Sequence, residues 1–552
     1  SNTSAVRGDK RVRYNSDRFV FAPMQWQTIV NNGFSMPNSE IKYSSYGQPS
    51  VNSHGLVVFR ARSTQGQARQ TGVYARVFPK GAINSVADLN TLVPEPNNLG
   101  ARFKEFPAIP RISENNDLIA FRGNHTPVYR HTLPDGSETR VGTTGIYFRA
   151  SDDALYAGAS KVALAPGYDY HSVPGFDPLI AFDVFPGAPA VTDSGKIVFK
   201  GNYVWNGIGQ TGIYYRDLSE PRRGKEFRIT RIADTNTEIP GMPPSFKAYT
   251  FGSTSPPSVS GEQVVFLGLD NEENPHAGGI YLAPIANTPE LRKLVGIGDP
   301  LPDLAGEKIT RLGEGLSYDG RYVSFWGAWG SEVKTVRLYC PKDGEANLIA
   351  YCNGVDPNSI YDPARDEWYQ DKEVSVNQGI FIYDTIQEYA FLISRTPADF
   401  DDFQFWVYSG RPPGTGNLTD EETVEEPPRW RSSAFIAASD GLAVFKARKG
   451  DQTKVGEYVN IIDGLYMKNG PERTPIEALA ETGMASDILD PSIPTGTLPI
   501  VGLGIEREGF RGNKLAITAL MADEENSWGG IYLADVARGN QIDDRRTKKV
   551  GR

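Results

Sequence analysis

The 552-residue chain carries 57 Lys and Arg against 67 Asp and Glu, a net charge of −10, with 57 Gly, 39 Pro and 11% aromatic residues. That balance argues against a general nucleic-acid binder, which shows a basic face, but leaves room for a local arginine cleft that meets a polyanion. No apolar run approaches the ~18 residues of a membrane-spanning helix, and the Gly- and Pro-rich composition favours turn-rich β-structure.

The opening SNTSAVRGDK has neither a basic n-region nor an apolar h-region and reads as a mature or trimmed N-terminus. Next comes RFVFAP at Arg18–Pro23, which resembles GGIYLAP at Gly278–Pro284 and stands ahead of the first full repeat. It is therefore expected to supply a strand to the last blade. The repeats then begin. A Ser/Asn/Asp-Gly turn leads into a short apolar strand in NSHGLVVF, ENNDLIAF, TDSGKIVF, SGEQVVF, YDGRYVSF, SDGLAVF and, degenerate, GNKLAIT. The last core positions of these strands are Phe59, Phe121, Phe199, Phe266, Phe325, Phe445 and Ile517. A second phrase follows in each: TGVYAR, TGIYFR, TGIYYR, GGIYLA, GIFIYD, GLYMKN and GGIYLA. A third, an apolar pair followed by small or acidic residues and Pro, often precedes the turn, as in RIADTNTEIPG and KLVGIGDPLPD.

Several short strands per unit, at a period of roughly 60–80 residues, have the make-up of a propeller blade, and helical solenoids lack support in any 3.6-residue period. The expected fold is all-β: one seven-bladed propeller over residues 1–552, closed because open strand edges aggregate. The long step from Phe325 to Phe445 predicts an insertion in blade five, about residues 328–377, holding Cys340, Cys352 and the acidic, aromatic YDPARDEWYQDKE. RPPGTGNLTDEETVEEPPRW, about 411–430, reads as an irregular, solvated loop.

Histidine is scarce: His54, His125, His131, His171 and His276. His54 sits in a repeat turn where its siblings carry Asp, Asn or Ser, and reads as structural. His125 ends FRGNH, and its equivalents are Ser63, Tyr203, Asp270, Trp329, Lys449 and Met521. Framework positions stay alike between repeats and this one does not, so His125 and Tyr203 form a candidate base and acid on neighbouring units. The bland alternatives are a loop histidine packed on the next blade and a buried tyrosine ring. Arg122, Arg130, Arg149 and Arg216 cluster in the same two repeats. Singly each reads as a surface or paired arginine; together they suggest an anion site, since a planar guanidinium holds two oxygens at once. Two cysteines make either a disulfide or, with His276 of NPHAGGIY, a zinc site. DNEEN at Asp270–Asn274 and DEEN at Asp523–Asn526 read as solvated loops with Ca²⁺ as the alternative.

The turn-plus-VF…GIY repeats, the GNH/GNY pair on adjacent repeats and the following arginine resemble the seven-bladed propeller polysaccharide lyases that cut ulvan, a sulfated rhamnose–uronic acid polymer. The resemblance implies a secreted or periplasmic enzyme that acts by β-elimination on an anionic sulfated polysaccharide, with His125 as base, Tyr203 as acid and Arg216 facing the uronate. Asn124, Arg122, Arg130, Arg149, Asn202 and Tyr249 fall to substrate binding. The family's second cleft histidine has two candidates here, His131 and His171. No cofactor is required for the elimination; bound metal ions in the family favour structural Zn²⁺ or Ca²⁺, with His276, Cys340 and Cys352 as ligands. Neither nucleic acid nor membrane is an expected partner, and a monomer is expected. The chemistry fits the residue types: a cation on the carboxylate stabilises the enolate, and a neutral imidazole takes the C5 proton. Two rivals remain, a propeller glycoside hydrolase, since TDSGKIVF resembles a sialidase Asp-box turn, and a non-catalytic carbohydrate-binding propeller. The hydrolase needs paired carboxylates, or a Tyr/Glu nucleophile pair beside an arginine triad, and no Asp or Glu pair stands at equivalent repeat positions near His125.

Overall fold

In the computed structural model, which describes residues 19–63, 69–219, 227–242, 249–413, 427–472 and 474–537, seven sheets of four or five strands follow one another along the chain. They span residues 45–88, 103–160, 190–234, 253–296, 309–395, 436–481 and 500–535, and are called sheets 1 to 7 below. Their innermost segments, from Ser50–Val51 in sheet 1 to Phe510–Arg511 in sheet 7, each touch the next, and the last touches the first. The architecture is a β-propeller.

Each sequence phrase has one place in a sheet. The Asx-Gly turn joins the first and second strands; Gly55, Gly195, Gly320 and Gly441 have φ of +85°, +88°, +103° and +81°, which is why the phrase carries glycine. Its polar side chains also reach the neighbouring sheet: Asn115 and Asn116 donate to Asp193, Ser439 donates to the Gly512 carbonyl, and the Asp440 amide donates to Asp319. The second strand buries its phenylalanine between sheets, with all six at 0% exposure. The Gly-Ile-Tyr phrase is the third strand. Its glycine is obligatory: a Cβ on Gly145 would lie 2.7 Å from the Tyr147 hydroxyl and 2.8 Å from the Ala159 carbonyl. The third phrase is the outer strand, whose acid meets the tyrosine hydroxyl. Tyr466 donates to Glu481 at 3.0 Å and Tyr214 to Asp234 at 3.4 Å; in sheet 7, whose outer strand carries Asn31 at that place, Tyr532 donates at 2.6 Å to Asp490 of the loop before the sheet.

The strand that completes sheet 7 is Gln27–Asn31, antiparallel to Ser527–Asp535. The expectation for Arg18–Pro23 is corrected: the strand within it, Val20–Phe21, lies parallel to the outer strand of sheet 6. RFVFAP matches the third-strand phrase only in composition. QTIVNNGFSMP, read against RIADTNTEIPG, carries the outer-strand pattern, and the outer place in sheet 7 is the one vacant. At the centre, residues 505–509 span the ring. The Glu508 carbonyl accepts from Val51, and the Arg507 carbonyl accepts from Ser317 Oγ. The Arg507 guanidinium donates to the carbonyls of Pro256 and Glu314, and Arg111 donates to Glu506 at 3.3 Å. One segment of sheet 7 thus bonds to sheets 1, 2, 4 and 5.

Between Trp329 and Gln378 of sheet 5 the chain makes a three-stranded sheet (Val333–Tyr339, Ile360–Asp362, Glu367–Ser375) and a helix, Ala346–Cys352. A hairpin, Phe405–Ser409 with Arg429–Ser433, and the long hairpin of sheet 6 pack against it around Trp406, Trp430 and Tyr458. Cys340 and Cys352 form a disulfide. That corrects the metal expectation, because both sulfurs are consumed by the bond. His276 is 64% exposed, with only Asp270 at 3.7 Å. The expected N-terminal segment, residues 1–10, and most of the 411–430 loop lie outside the described residues.

Candidate functional site at the ends of sheets 2 and 3

His125 ends the second strand of sheet 2, and Tyr203 stands at the matching register of sheet 3, two residues before its strand ends at Trp205: Asn124 pairs with Thr144, and Asn202 with Thr211. Both lie on the loop face, the end of the ring where second strands pass to third strands. Alternation along a strand turns them toward the preceding sheet, so His125 enters the 1/2 interface and Tyr203 the 2/3 interface.

His125 is 5% exposed. Its Nδ1–H donates to the Thr126 carbonyl at 2.9 Å, and Nε2 accepts the Tyr147 hydroxyl at 2.5 Å. Burial lowers its pKa to about 4, so the imidazole is neutral at neutral pH. Tyr147 is the tyrosine of the Gly-Ile-Tyr phrase, and its outer strand ends in Ser160 where sheets 3 and 6 have Asp234 and Glu481. His125 thus supplies the acceptor that sheet 2 lacks. The variability of this position has a framework cause as well as a functional reading.

Tyr203 is 1% exposed, packed edge-on against Phe176 and Phe182. Its hydroxyl faces Tyr214 and Asp234 without a hydrogen bond of normal geometry, and burial pushes its pKa up to about 12. Arg122 and Asn124 alternate with His125 and so face the 2/3 interface, toward Tyr203. Asn124 accepts from Thr144 Oγ1 at 2.8 Å. Two residues that sequence reasoning did not select stand at this end. Asp183 donates its amide to the Asn202 carbonyl, and burial raises its carboxyl pKa against the pull of Lys161. Trp205, exposed, contacts Phe176 at 5.6 Å on the tip of a hairpin whose turn is Asn206–Gly207, both at positive φ. The signal for it was present: an Asn-Gly pair directly after an aromatic residue marks a tight hairpin tip.

The remaining candidates separate. Arg216 lies six residues along the third strand from Gln210, the partner of Tyr203, which is about 20 Å at ~3.3 Å per residue. It is 3% exposed; Nε donates to the Phe227 carbonyl at 3.0 Å and Nη1 to the carbonyls of Ala157 and Gly158 at 2.9 and 3.1 Å. Its guanidinium stacks on Tyr170 at 4.7 Å. Arg149 occupies the same place in sheet 2, equally far from His125 along its strand. Arg130 lies on an exposed hairpin, paired with Glu138 at 2.9 Å. Asn202 faces the 3/4 side and bridges to Val184, and Tyr249 packs on the core between sheets 3 and 4. His131 stacks on Tyr129 in that hairpin, while His171 is buried beside Arg216 and Tyr170. Neither joins His125.

Among the described residues no cluster of three or more His, Cys, Asp and Glu could hold a metal ion. The acidic loops are occupied by their own turns: Asp270 Oδ1 accepts the amides of His276 and Ala277, and Asp523 Oδ1 those of Glu525 and Asn526. The described residues thus offer no ligand set for the Zn²⁺ or Ca²⁺ that the resemblance implies.

No curated protein matches the sequence. Among solved structures, the chain is similar to the β-propeller domain of the Trilobed protease from Pyrococcus furiosus, at 11% identity and a TM-score of 0.40, over 90% of this chain and 95% of that one. It is also similar to Zg3597, a family 117 glycoside hydrolase from Zobellia galactanivorans, at 13% identity and 0.25, over 59% and 88%. An α-L-arabinofuranosidase from Podospora anserina matches at 8% identity and 0.21, over 62% and 87%. Likenesses this low transfer no activity. A family model, by contrast, matches residues 24–354, more than half the chain, and the protein belongs to that family, DUF7453, a family of unknown function.

Proposed function

We propose that this propeller is a carbohydrate-active protein whose loop face at sheets 2 and 3 engages an anionic, uronate-containing polysaccharide of the ulvan type, cleaving it by β-elimination. The observation that carries the reading is the pair at matching registers: a neutral imidazole, His125, and one sheet away a buried tyrosine hydroxyl, Tyr203, that faces Tyr214 and Asp234. In the elimination His125 Nε2, released from Tyr147, takes the C5 proton. Electrons move into the C4–C5 bond, and the C4–O bond breaks with Tyr203 giving its proton to the leaving oxygen. Arg122, on the 2/3 wall, meets the carboxylate in place of Arg216. Both groups are buried and enter interfaces on opposite faces of sheet 2. The connection 126–143 must therefore swing away, and His125 must turn toward the 2/3 side, before one sugar can meet both. Secretion is part of the proposal and is supported by the disulfide, a feature of oxidising compartments. Monomeric state, and the absence of nucleic-acid and membrane partners, belong to the same proposal.

The burial of His125 and Tyr203 favours a second reading, a propeller that binds the polysaccharide without cutting it. Incubation with ulvan separates them. A lyase generates the ultraviolet absorbance of an unsaturated uronate, and His125→Ala and Tyr203→Phe lower that rate by about 10²- to 10⁴-fold. Retarded migration in an ulvan-containing gel with no absorbance establishes the binding reading. Neither signal refutes both.

A further inference from the structure

The opposite end of the ring, the turn face, holds a groove of about 810 Å³ between sheets 1 and 2, closed on one side by the Asx-Gly turn of sheet 3. Its volume lies in the ~300–1,000 Å³ range of small-ligand sites. Leu56, Leu118, Phe148 and Leu218 line it and are buried, so they form its floor; His54, Asp117, Asp152 and Asp153 are exposed and form its rim.

Repetition supplies an internal control for Arg149, which also lines this groove. At the equivalent position Arg76 donates to the carbonyls of Thr28 and Ile29, Arg216 to those of Ala157 and Gly158, and Lys468 to that of Ile393. In all three sheets the cation staples its own third strand to the outer strand of the sheet before. Arg149 makes no such bond to Asn84–Asp88 of sheet 1. Its Nε is buried and unpartnered, with the closest carboxylate oxygen, Asp153 Oδ1, at 3.8 Å. At Arg149 the cation is present but the staple is not made, and the groove opens there. A donor withdrawn from water without an acceptor is costly, and a ligand oxygen would remove that cost.

We propose that this groove is a binding site for a neutral oligosaccharide, with Arg149 as its anchor. The proposal goes beyond the loop-face reading and does not depend on it. Asp117 and Asp153 flank the guanidinium electrostatically, and the rim adds Asp152 and Asp193, so an acidic or sulfated sugar is repelled. Neutral hydroxyls suit the mixture, since each can donate to an aspartate and accept from the arginine. The apolar floor matches the C–H face of a pyranose ring. Asp193 is already held by Asn115 and Asn116, Asp152 Oδ1 by the Ala154 amide and Asp117 Oδ1 by the Asn52 side-chain amide; Asp153, exposed beside Arg149, is the carboxylate left to meet ligand.

The test is isothermal titration of the full chain with cellotetraose, xylotetraose, mannotetraose and laminaritetraose, alongside ulvan-derived oligosaccharides and CaCl₂. At least one neutral tetrasaccharide is expected to bind. Arg149→Ala should weaken it about tenfold or more without moving the melting temperature, and Asp153→Asn, at an 83% exposed side chain, should weaken it without any folding consequence. The proposal is overturned if no neutral sugar binds, if binding survives Arg149→Ala, or if Arg149→Ala instead abolishes binding of the acidic oligosaccharides or of calcium. Loss of ulvan recognition with neutral-sugar binding intact would strike the loop-face reading alone.

Discussion

Replacing Arg216 by alanine separates a substrate clamp from a structural staple. The guanidinium is 3% exposed and gives hydrogen bonds to three carbonyls, two of them on the outer strand of sheet 2. Burial pulls its pKa down to about 10, which leaves it charged at neutral pH. A bond from a charged donor contributes ~1.5–3 kcal/mol, and three that share one group, partly replaced by water in the variant, sum to about 4 kcal/mol. At ~2.1 cal/mol/K per residue the unfolding entropy of a chain this long is about 1.2 kcal/mol/K, so the melting temperature should fall by about 3–4 °C. Differential scanning calorimetry on Arg216→Ala and Arg149→Ala reads the difference directly, because the two positions are equivalent and only one is bonded. Arg149→Ala should shift the midpoint by less than ~1 °C. Equal shifts would refute the staple, and so would an unchanged midpoint with lost ulvan turnover, which would return Arg216 to the clamp.

Two further expectations concern buried groups. The folded imidazole of His125 has its pKa lowered to about 4 against ~6.5 unfolded, so below pH 6.5 the unfolded chain binds a proton that the folded one refuses. Stability should fall by roughly 3 kcal/mol between pH 6.5 and 4 from this group, with His171 adding in the same direction. His125→Gln, compared with the parent by urea unfolding at both ends of that window, should flatten the dependence; an identical slope would show that the imidazole is not buried neutral. Thiol titration of the denatured chain should find no free thiol before reduction and two after it. Breaking the loop of 12 residues should cost the insertion about 3 kcal/mol, visible as faster proteolysis between Tyr339 and Ser375. Two thiols without reductant would restore the metal reading.

The repeats were legible because each phrase has one physical job, turn, buried strand or tyrosine-bearing strand, and the sheets reproduce them in order. What escaped the sequence is what depends on neighbours. Arg149 and Arg216 end the same phrase, and only the carbonyls offered by the preceding sheet make one a staple and leave the other facing a groove. His125 differs from its siblings, which suggested chemistry; the structure adds that Ser160, 35 positions later, left Tyr147 without its acid. Cys340 and Cys352 lie close enough in sequence for either a bond or a shared ion, and no local pattern distinguishes the two. RFVFAP shares the apolar, aromatic make-up of a third-strand phrase, whereas the place filled in sheet 7 is that of an outer strand.

The strand that closes the ring has a consequence for synthesis. Gln27–Asn31 finds its partner only in Ser527–Asp535, about 500 residues later. At ~5–20 residues per second the ribosome takes roughly 25–100 s to deliver that partner. Throughout that interval sheet 7 does not exist, and the channel segment 505–509, which ties it to four other sheets, has not been made. Sheets 1 to 6 must therefore persist as an open arc with an unpaired strand waiting at its leading end. Such an edge invites pairing with another nascent chain. The flanking Gln27, Asn31 and Asn32 keep it polar for the time it stands alone.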